Sequence, residues 1–331
     1  MKKYQVALLA LLAVAAAFTV GCGSSSSVPT FSKTSMWSDR AVTPATSLFT
    51  MSVDGSSVTP VQTGSTNVWG LSVSADLKTV VYASNGEVWA VSPNSGTPTQ
   101  LTQNAANNSS SSLARISPNG QKIVYPVFTT NVGNIWIMNA DGTGSTNLTP
   151  TLPTGMTTCY VASFSADSSK IGFACEGSTS FGLYTMKTDG TQLATVLTQT
   201  NPIDSPSFTP NGKQILYVSW GAPGAALKHG FSHAAFSRYS QHLQPNLAPS
   251  SVPANSGVAS VNIDGSNPTL IVPATTNQIW ESEIVNSNLY YVMLGSSGNF
   301  YQIFKANLDG TGSASISDGT ADDWLGVCFG C

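Results

Sequence analysis

Two kinds of tight turn alternate along this chain and divide it into short apolar strands. The first kind is Ser117-Pro118-Asn119-Gly120, where proline presets one turn dihedral and Asn-Gly accepts positive φ at little steric cost. The second kind is Asp141-Gly142, and with it six such turns occur, the others being Asp54-Gly55, Asn94-Ser95-Gly96, Asp189-Gly190, Asp264-Gly265 and Asp309-Gly310. Successive second turns lie 40 to 48 residues apart, except for one interval of 75. A period of forty-odd residues predicts the blades of a β-propeller rather than a helical solenoid.

One repeat unit runs from Leu113 to Leu148 and contains four predicted strands joined by three turns. Alternating apolar residues on each side of a tight turn are typical of an antiparallel hairpin, so the unit is predicted to be a four-stranded meander. The first turn recurs with a basic residue and an apolar strand after it, at Ser74-Ala75-Asp76, Ser165-Ala166-Asp167 and Thr209-Pro210-Asn211-Gly212.

The repeat strings resemble those of TolB-type β-propellers. The strings that carry this resemblance are ISPNGQKIVY (Ile116 to Tyr125), FTPNGKQILYV (Phe208 to Val218), IWIMNADGTGSTNLT (Ile135 to Thr149) and LYTMKTDGTQLATVLT (Leu183 to Thr198). The resemblance covers residues 45 to 328. It is specific for the fold and uninformative about function, because this repeat occurs in envelope proteins, in non-catalytic domains of peptidases and in binding modules.

We therefore predict an all-β fold, a six-bladed β-propeller of four-stranded antiparallel blades in residues 35–331. The first blade lacks a clear inner strand, and the segment Trp324 to Phe329 has the apolar spacing of one. A C-terminal strand that completes the first blade, next to Ser35 to Val42, closes the ring and removes an open sheet edge.

The chain begins with features of an export signal. Lys2 and Lys3 precede an apolar run that is short for a membrane span, and Cys22 follows it. We predict a lipoprotein signal peptide in residues 1–21 and a flexible Ser-rich tether in residues 22–34. The lipoprotein pattern implies a lipid on Cys22 and a location in the cell envelope, on the periplasmic side of the outer membrane or at the cell surface. The alternative is an ordinary signal peptide with an incidental cysteine.

The content of charged residues argues against one class of partner. Only 9 % of residues are charged, and the net charge is −3, or −5 without Lys2 and Lys3 of the signal. The three arginines (Arg40, Arg115 and Arg238) are dispersed, so no basic patch is present and nucleic acid is not expected as a partner.

The remaining cysteines fit an exported protein. Cys159 and Cys175 lie at equal distances from the turn at Asp167, so they face each other across a hairpin and are predicted to form a disulfide. Cys328 and Cys331 form a C-x-x-C pair after a strand, which favours a structural disulfide over a redox or zinc site.

The 75-residue interval contains an insertion in the fifth blade, residues 221–257. It carries all three histidines, and His229 and His233 share a face if the segment is helical, at a spacing used by metal ligands. The insertion contains no acidic residue, which favours a partner-contacting loop over a metal site. We predict no metal and no cofactor.

The candidate binding site comes from aligning the inner strands on their first turn. The position five residues before the turn serine is expected to surround the mouth of the central channel, and it is occupied by Trp69, Ser112, Tyr160, Asp204, Trp280 and Asp323. Aromatic rings beside carboxylates suit a peptide, a sugar or a cationic group. The alternative is that Trp69 and Trp280 simply pack between blades.

The sequence lacks a G-x-S-x-G elbow, a phosphate-binding loop and an H-E-x-x-H motif. We therefore expect a non-catalytic envelope lipoprotein that binds a protein or peptide. The alternatives are a carbohydrate-binding or lyase-type enzyme that uses the histidine-containing insertion, and a purely structural envelope protein.

Overall fold

The computed structural model describes residues 35–42, 45–52, 54–56, 59–61, 68–92, 97–104, 109–111, 113–129, 132–220, 256–275, 279–285, 287–295, 301–317, 319 and 322–328. These residues form 25 β-strands and contain no α-helix. They belong to one compact unit, residues 31–331. The predicted signal peptide and tether, and residues 221–255 of the predicted insertion, lie outside the described residues.

The strands form five sheets. The N-terminal strands are β1 (Ser35–Val42), β2 (Ala45–Ser52), β3 (Thr59–Val61), β4 (Trp69–Val73), β5 (Val80–Ser84), β6 (Glu87–Val91) and β7 (Thr99–Gln100). The second sheet contains β8 (Ser109–Ser111), β9 (Arg115–Ile116), β10 (Lys122–Thr129), β11 (Val132–Asn139) and β12 (Thr146–Asn147).

The next three sheets have four antiparallel strands each. The third contains β13 (Met156–Phe164), β14 (Lys170–Gly177), β15 (Phe181–Lys187) and β16 (Ala194–Gln199). The fourth contains β17 (Ile203–Phe208), β18 (Gln214–Trp220), β19 (Ser256–Asn262) and β20 (Thr269–Thr275). The fifth contains β21 (Ile279–Val285), β22 (Asn288–Leu294), β23 (Tyr301–Ala306) and β24 (Ala314–Ser315), and the last strand of the chain is β25 (Asp322–Cys328).

The prediction of six blades is wrong, because the structure has five. The strands expected to form the first two blades belong to one eight-stranded sheet, with the order β3-β2-β1-β25-β4-β5-β6-β7. Strand β25 joins them, since it pairs antiparallel with β1, where Trp37 lies opposite Gly326, and parallel with β4, where Val327 lies opposite Ser72. Counting turns along the sequence gives the number of hairpins, and it does not reveal that one distant strand unites two sets of them.

The antiparallel, four-stranded character of the repeat is confirmed in the third, fourth and fifth sheets. The C-terminal strand also pairs with the segment Ser35–Val42, as the sequence predicts. The inner strands contact one another in the order β4, β9, β13, β17, β21 and β25, and β25 returns to β4. The inner strands of the five sheets therefore surround a common centre.

The first turns are held by the side chains that the sequence places there. The Ser117 hydroxyl accepts a hydrogen bond from the backbone N–H of Lys122 (2.9 Å) and donates one to Oδ1 of Asn119 (2.7 Å). Asn119 in turn accepts from the backbone N–H of Gln121 (3.1 Å). Because Ser117 is fully buried, these bonds satisfy backbone groups that water does not reach.

The sheets pack against their neighbours through apolar side chains. Phe208 and Ile215 of the fourth sheet share a buried cluster with Val161 and Leu183 of the third. This packing on both faces explains why strands such as β5 are buried along their whole length instead of showing a buried-exposed alternation.

Candidate functional site

A set of polar residues occupies one register position on the inner strands. In each of the five sheets, an apolar residue pairs with the start of the neighbouring strand, as Phe208 does with Ile215 and Ile284 with Leu289. The residue just before that apolar position is Ser72, Arg115, Ser163, Ser207 or Glu283. The apolar position supports the core, and of the five residues before it, Arg115, Ser163, Ser207 and Glu283 line one pocket, whereas the Ser72 hydroxyl accepts a hydrogen bond from the backbone N–H of Ile116 (3.0 Å).

The inner strands are irregular next to this position. Their registers shift between Trp69 and Ser72, between Cys159 and Val161, between Asp204 and Ser207, and between Ile279 and Glu281. Gly70, Leu113 and Ser205 adopt positive φ values of 65°, 48° and 47° at this point. Bulges of this kind redirect side chains and are common beside functional sites.

The bulges have a direct geometric result. In a regular strand, successive side chains point to opposite faces, so only alternate residues line one space. Here three consecutive residues from each of β13, β17 and β21 line a single pocket, and they are Val161 to Ser163, Ser205 to Ser207, and Glu281 to Glu283. Arg115 of β9 completes the described wall of the pocket. The pocket is narrow, with a cavity volume of about 20 Å³.

The charged groups of this pocket are buried. Arg115, Glu281 and Glu283 are 7 %, 7 % and 5 % exposed. The Arg115 guanidinium donates from Nη1 to the backbone carbonyls of Gly70 (3.2 Å) and Leu71 (3.4 Å). Burying a charge is costly unless it is paired or hydrogen-bonded, so three buried charged side chains in one pocket make it a candidate functional site.

Burial raises the pKa of Glu283 to about 8 from an ordinary value of 4.5. The positive charge of Arg115 opposes this shift, and the negative charge of Glu281 adds to it. Glu283 is therefore mostly protonated at neutral pH, and its carboxyl group is both a hydrogen-bond donor and an acceptor.

Three serine hydroxyls of the pocket add to its polarity. Ser163, Ser207 and Ser282 are buried, and within the described part of the chain their Oγ atoms have no hydrogen-bond partner. Buried polar atoms are nearly always hydrogen-bonded, so three such hydroxyls in one pocket indicate a polar group that comes from elsewhere.

Three of the residues predicted for the channel mouth, Tyr160, Asp204 and Trp280, directly precede residues that line this pocket. Tyr160 is buried and donates its hydroxyl hydrogen bond to the carbonyl of Ile203. Asp204 is buried and accepts a hydrogen bond from the backbone N–H of Ser205 (2.8 Å). Only the backbone is described for Trp69 in β4 and for Asp323 in β25, and Ser112 lies outside the described residues.

Trp280 packs edge-on against Trp220, with 4.6 Å between ring centroids, and against Tyr301, at 5.8 Å. Trp220 belongs to the fourth sheet and Trp280 and Tyr301 to the fifth, so Trp280 packs between two blades, as the alternative interpretation of this residue predicts. A ligand contact by any of the six residues at the predicted channel mouth stays a prediction.

The repeats of the sequence, aligned on their first turn, did not predict the pocket residues, because the predicted site was the position five residues before the turn serine. The bulges bring residues two to four positions before that turn to the centre instead. One signal was present in the sequence, since Glu281-Ser282-Glu283 places two charges in the middle of an apolar strand of a chain with few charges.

The structure confirms the predicted disulfide between Cys159 and Cys175, which lie opposite each other on β13 and β14. Cys328 lies in β25, but Cys331, Cys22, His229 and His233 are outside the described residues, so their predicted roles stay predictions. Within the described ranges, no group of three or more His, Cys, Asp or Glu side chains is placed to hold a metal ion. The same residues contain no helix that is long and apolar enough to cross a membrane.

No protein-family model matches this sequence, and no curated protein matches it. Solved structures do match in fold. A putative TolB from Agrobacterium tumefaciens has a TM-score of 0.59 at 14 % identity, over 89 % of this chain and 91 % of its own. TolB from Acinetobacter baumannii has a TM-score of 0.61 at 14 % identity, over 87 % of this chain and 65 % of its own.

A chain of a nidogen/laminin complex has a TM-score of 0.63 at 12 % identity, over 89 % of this chain and 100 % of its own. These similarities establish a β-propeller that resembles TolB proteins in fold. At such low identity they carry no information about the ligand.

Proposed function

We propose that this chain is a non-catalytic lipoprotein of the cell envelope that binds a protein or peptide partner through the centre of its propeller. The observation that carries the proposal is the pocket at the meeting point of the inner strands. It brings the buried side chains of Arg115, Glu281 and Glu283 together on strands of different sheets.

The comparison structures are compatible with this function. One of them is a complex between two proteins, nidogen and laminin, so a propeller of this fold occurs in a protein–protein assembly. Fold similarity alone leaves the partner of this chain open, and the partner has to be found by experiment.

The binding proposal is tested by capture of partners from envelope membranes with the full-length chain as bait. The decisive variant is Glu281→Gln together with Glu283→Gln, which changes the charge of the pocket and keeps the side-chain shapes. The matched control is Asp264→Asn, a change of a fully exposed turn carboxylate to an amide that still accepts the turn hydrogen bonds.

We expect the wild type and Asp264→Asn to retain the same partner, and the double variant to lose it. Equal recovery by all three proteins contradicts binding through the pocket. A chain lacking residues 221–257 is compared in the same experiment, because an unchanged partner would exclude the insertion as the main contact. Recovery of no specific partner by any of the proteins contradicts a protein-binding function.

The anchoring part of the proposal rests on the sequence around Cys22. Labelling of the expressed chain with a radioactive fatty acid tests it, with Cys22→Ser as the comparison. We expect label in the wild type only. Label in both proteins, or in neither, contradicts lipid attachment at Cys22.

A further inference from the structure

A second cavity lies between the first and second sheets. Its wall consists of the segment after β7, residues 101–104, together with residues of β10 and β11 and Ser145. The cavity volume is about 410 Å³, which is within the range of about 300–1,000 Å³ that is usual for small-ligand sites. None of these residues lines the pocket at the inner strands, so this cavity, here called the side cleft, is a separate candidate site.

The described wall of the side cleft is uncharged, since no Asp, Glu, Lys, Arg or His side chain lines it. Glu87 is bonded to two wall residues but does not itself line the cleft. Its Oε2 accepts hydrogen bonds from the Thr102 hydroxyl (2.5 Å) and from the backbone N–H of Asn104 (2.8 Å). A charged ligand would lose hydration on entry and would find no counter-charge on this wall. The side cleft therefore favours an uncharged ligand.

The polar groups of the side cleft select against a purely apolar ligand. Gln103 is exposed, and its amide group both donates and accepts hydrogen bonds. The hydroxyls of Tyr125 and Ser145 are bonded to each other (2.7 Å), and this bond uses only one of their two O–H hydrogens. These groups match a ligand whose own groups both donate and accept hydrogen bonds, which is the property of a hydroxyl.

One aromatic ring supplies much of the apolar part of the wall. Trp136 of β11 is half-buried and packs against the apolar cluster that contains Ile123 and Met138. This packing holds the indole ring in place, so little side-chain entropy is lost when a ligand binds against it. The negative face of an aromatic ring attracts the slightly positive C–H groups of an aliphatic ligand.

We propose that the side cleft binds a neutral carbohydrate, with the C–H groups of one sugar ring against Trp136 and its hydroxyls bonded to Gln103 and to the Tyr125–Ser145 pair. A neutral sugar ring has an apolar C–H surface, a rim of hydroxyls and no charge. The wall of the side cleft presents the complementary combination of an aromatic ring, groups that donate and accept hydrogen bonds, and no charged side chain.

An extended peptide fits this site less well than a sugar. Peptides that bind to a sheet add a strand to an exposed edge, where backbone N–H and C=O groups are available. Strand β10 lies between β11 and β8, and β11 lies between β10 and β12, so both strands of the wall already have neighbours on each side. Recognition in the side cleft therefore depends on side chains.

The test is binding of the full-length chain to an array of immobilised oligosaccharides. The array contains neutral glycans of hexoses and N-acetylhexosamines, with sulfated and carboxylated glycans for comparison. The cleft is altered by Trp136→Ala and, separately, by Gln103→Ala together with Ser145→Ala. The matched control is Gln121→Ala, which removes an exposed amide next to a first turn and outside the cleft.

We expect the wild type and Gln121→Ala to bind the same neutral glycans with equal affinity. Trp136→Ala is expected to weaken this binding about tenfold, because it removes the ring contact. Gln103→Ala with Ser145→Ala is expected to weaken it about three- to tenfold, as the loss of neutral hydrogen bonds predicts. The second variant changes only exposed residues, so it is expected to fold even if Trp136→Ala does not.

Three results overturn the proposal. They are the absence of wild-type binding to every neutral glycan, stronger binding of charged glycans than of neutral ones, and unchanged affinity in Gln103→Ala with Ser145→Ala. The variant Glu281→Gln with Glu283→Gln separates this inference from the proposed function, because it is expected to lose the captured partner and to keep glycan binding. Loss of glycan binding in that variant would assign the glycan to the pocket at the inner strands and contradict the side cleft.

Discussion

The carboxyl groups of the turns and those of the central pocket are the same chemical group in opposite environments. Asp141, in a second turn, accepts hydrogen bonds from the Thr143 hydroxyl (2.7 Å) and backbone N–H (2.9 Å), and these bonds lower its pKa. Glu283, in the pocket, is buried, and burial raises its pKa to about 8. The turn aspartates recur at the same position of the repeat, whereas the position of Glu283 holds serine or arginine in the other sheets. The turn aspartates therefore hold the fold as ionised hydrogen-bond acceptors, whereas burial disfavours the charged form of Glu283.

Burial by itself does not distinguish the two kinds of carboxyl group. Glu87 is also buried, but its Oε2 accepts hydrogen bonds from the Thr102 hydroxyl (2.5 Å) and from the backbone N–H of Asn104 (2.8 Å). These bonds connect two neighbouring segments of the chain and give Glu87 a structural role. What sets the pocket apart is the combination of buried charge with hydroxyls that lack a described partner.

The largest expected effect that tests this contrast is the dependence of stability on pH. The pKa of Glu283 is about 8 in the folded protein and about 4.5 when unperturbed, so between these values the folded state holds a proton that the unfolded state loses. The free energy of unfolding therefore falls as pH rises from about 4.5 to about 8, by at most about 1 kcal/mol per pH unit. Urea unfolding of the wild type and Glu283→Gln at several pH values in this range measures the fall in the free energy of unfolding. If the free energy of unfolding depends on pH in the same way in both proteins, Glu283 does not have a raised pKa in the folded state.

The second prediction compares two glycines with nearly the same backbone conformation. Gly70 lies in the bulge of β4 with φ of 65°, and Gly212 lies in a first turn with φ of 66°. A methyl group on Gly70 meets Cα of Leu113 at 3.1 Å, whereas one on Gly212 meets nothing within 4 Å. Gly212→Ala is expected to cost about 1 kcal/mol of stability and Gly70→Ala about 2–4 kcal/mol, because crowding adds to the backbone strain. Equal losses in urea unfolding would mean that the bulge is not tightly packed.

The third prediction compares two buried serines. Ser117 is bonded to the backbone of its turn, so Ser117→Ala leaves amide groups without partners and is expected to cost about 1–2 kcal/mol. Ser207 lines the pocket without a described partner, so Ser207→Ala is expected to change stability by less than about 0.5 kcal/mol. Thermal and urea unfolding of both variants give the comparison. A large loss for Ser207→Ala would identify it as structural.

The smallest expected effect concerns the exposed turns. The pKa of Asp264 is lowered by hydrogen bonds from the Ser266 hydroxyl and backbone N–H, so its contribution to stability is lost as pH falls through 3.8 and below. Asp264→Ala is expected to lower the thermal midpoint slightly at pH 7 and to match the wild type in stronger acid. Asp264→Asn keeps an acceptor oxygen and should stay close to the wild type at both pH values. A difference between wild type and Asp264→Ala that does not shrink in acid would assign the effect to something other than ionisation.

The sequence predicts the local structure well, because the local structure depends on neighbouring residues. The Ser-Pro-Asn-Gly and Asp-Gly turns, the four-stranded unit and the Cys159–Cys175 disulfide all follow from spacing within one hairpin. The blade count fails because it depends on the double pairing of β25, which joins residues more than 250 positions apart.

The pocket was missed for a related reason. Arg115 and Glu283 are 168 positions apart in the chain, and they meet only because the inner strands converge. The bulges then shift which residues face the centre, and no turn motif records that shift. The predicted residues Tyr160, Asp204 and Trp280 lie on β13, β17 and β21, each one residue before the first residue of its strand that lines the pocket.

The two-sided pairing of β25 has a consequence for the order in which this protein matures. Strands β1 to β3 and β4 to β7 are made first, yet the strand that links them is synthesised after every other one. Until it arrives, β1 and β4 each present an open edge to other polypeptides. The ring therefore closes only after β25 has been synthesised, and a truncation that removes β25 leaves two unsealed edges instead of one shortened strand.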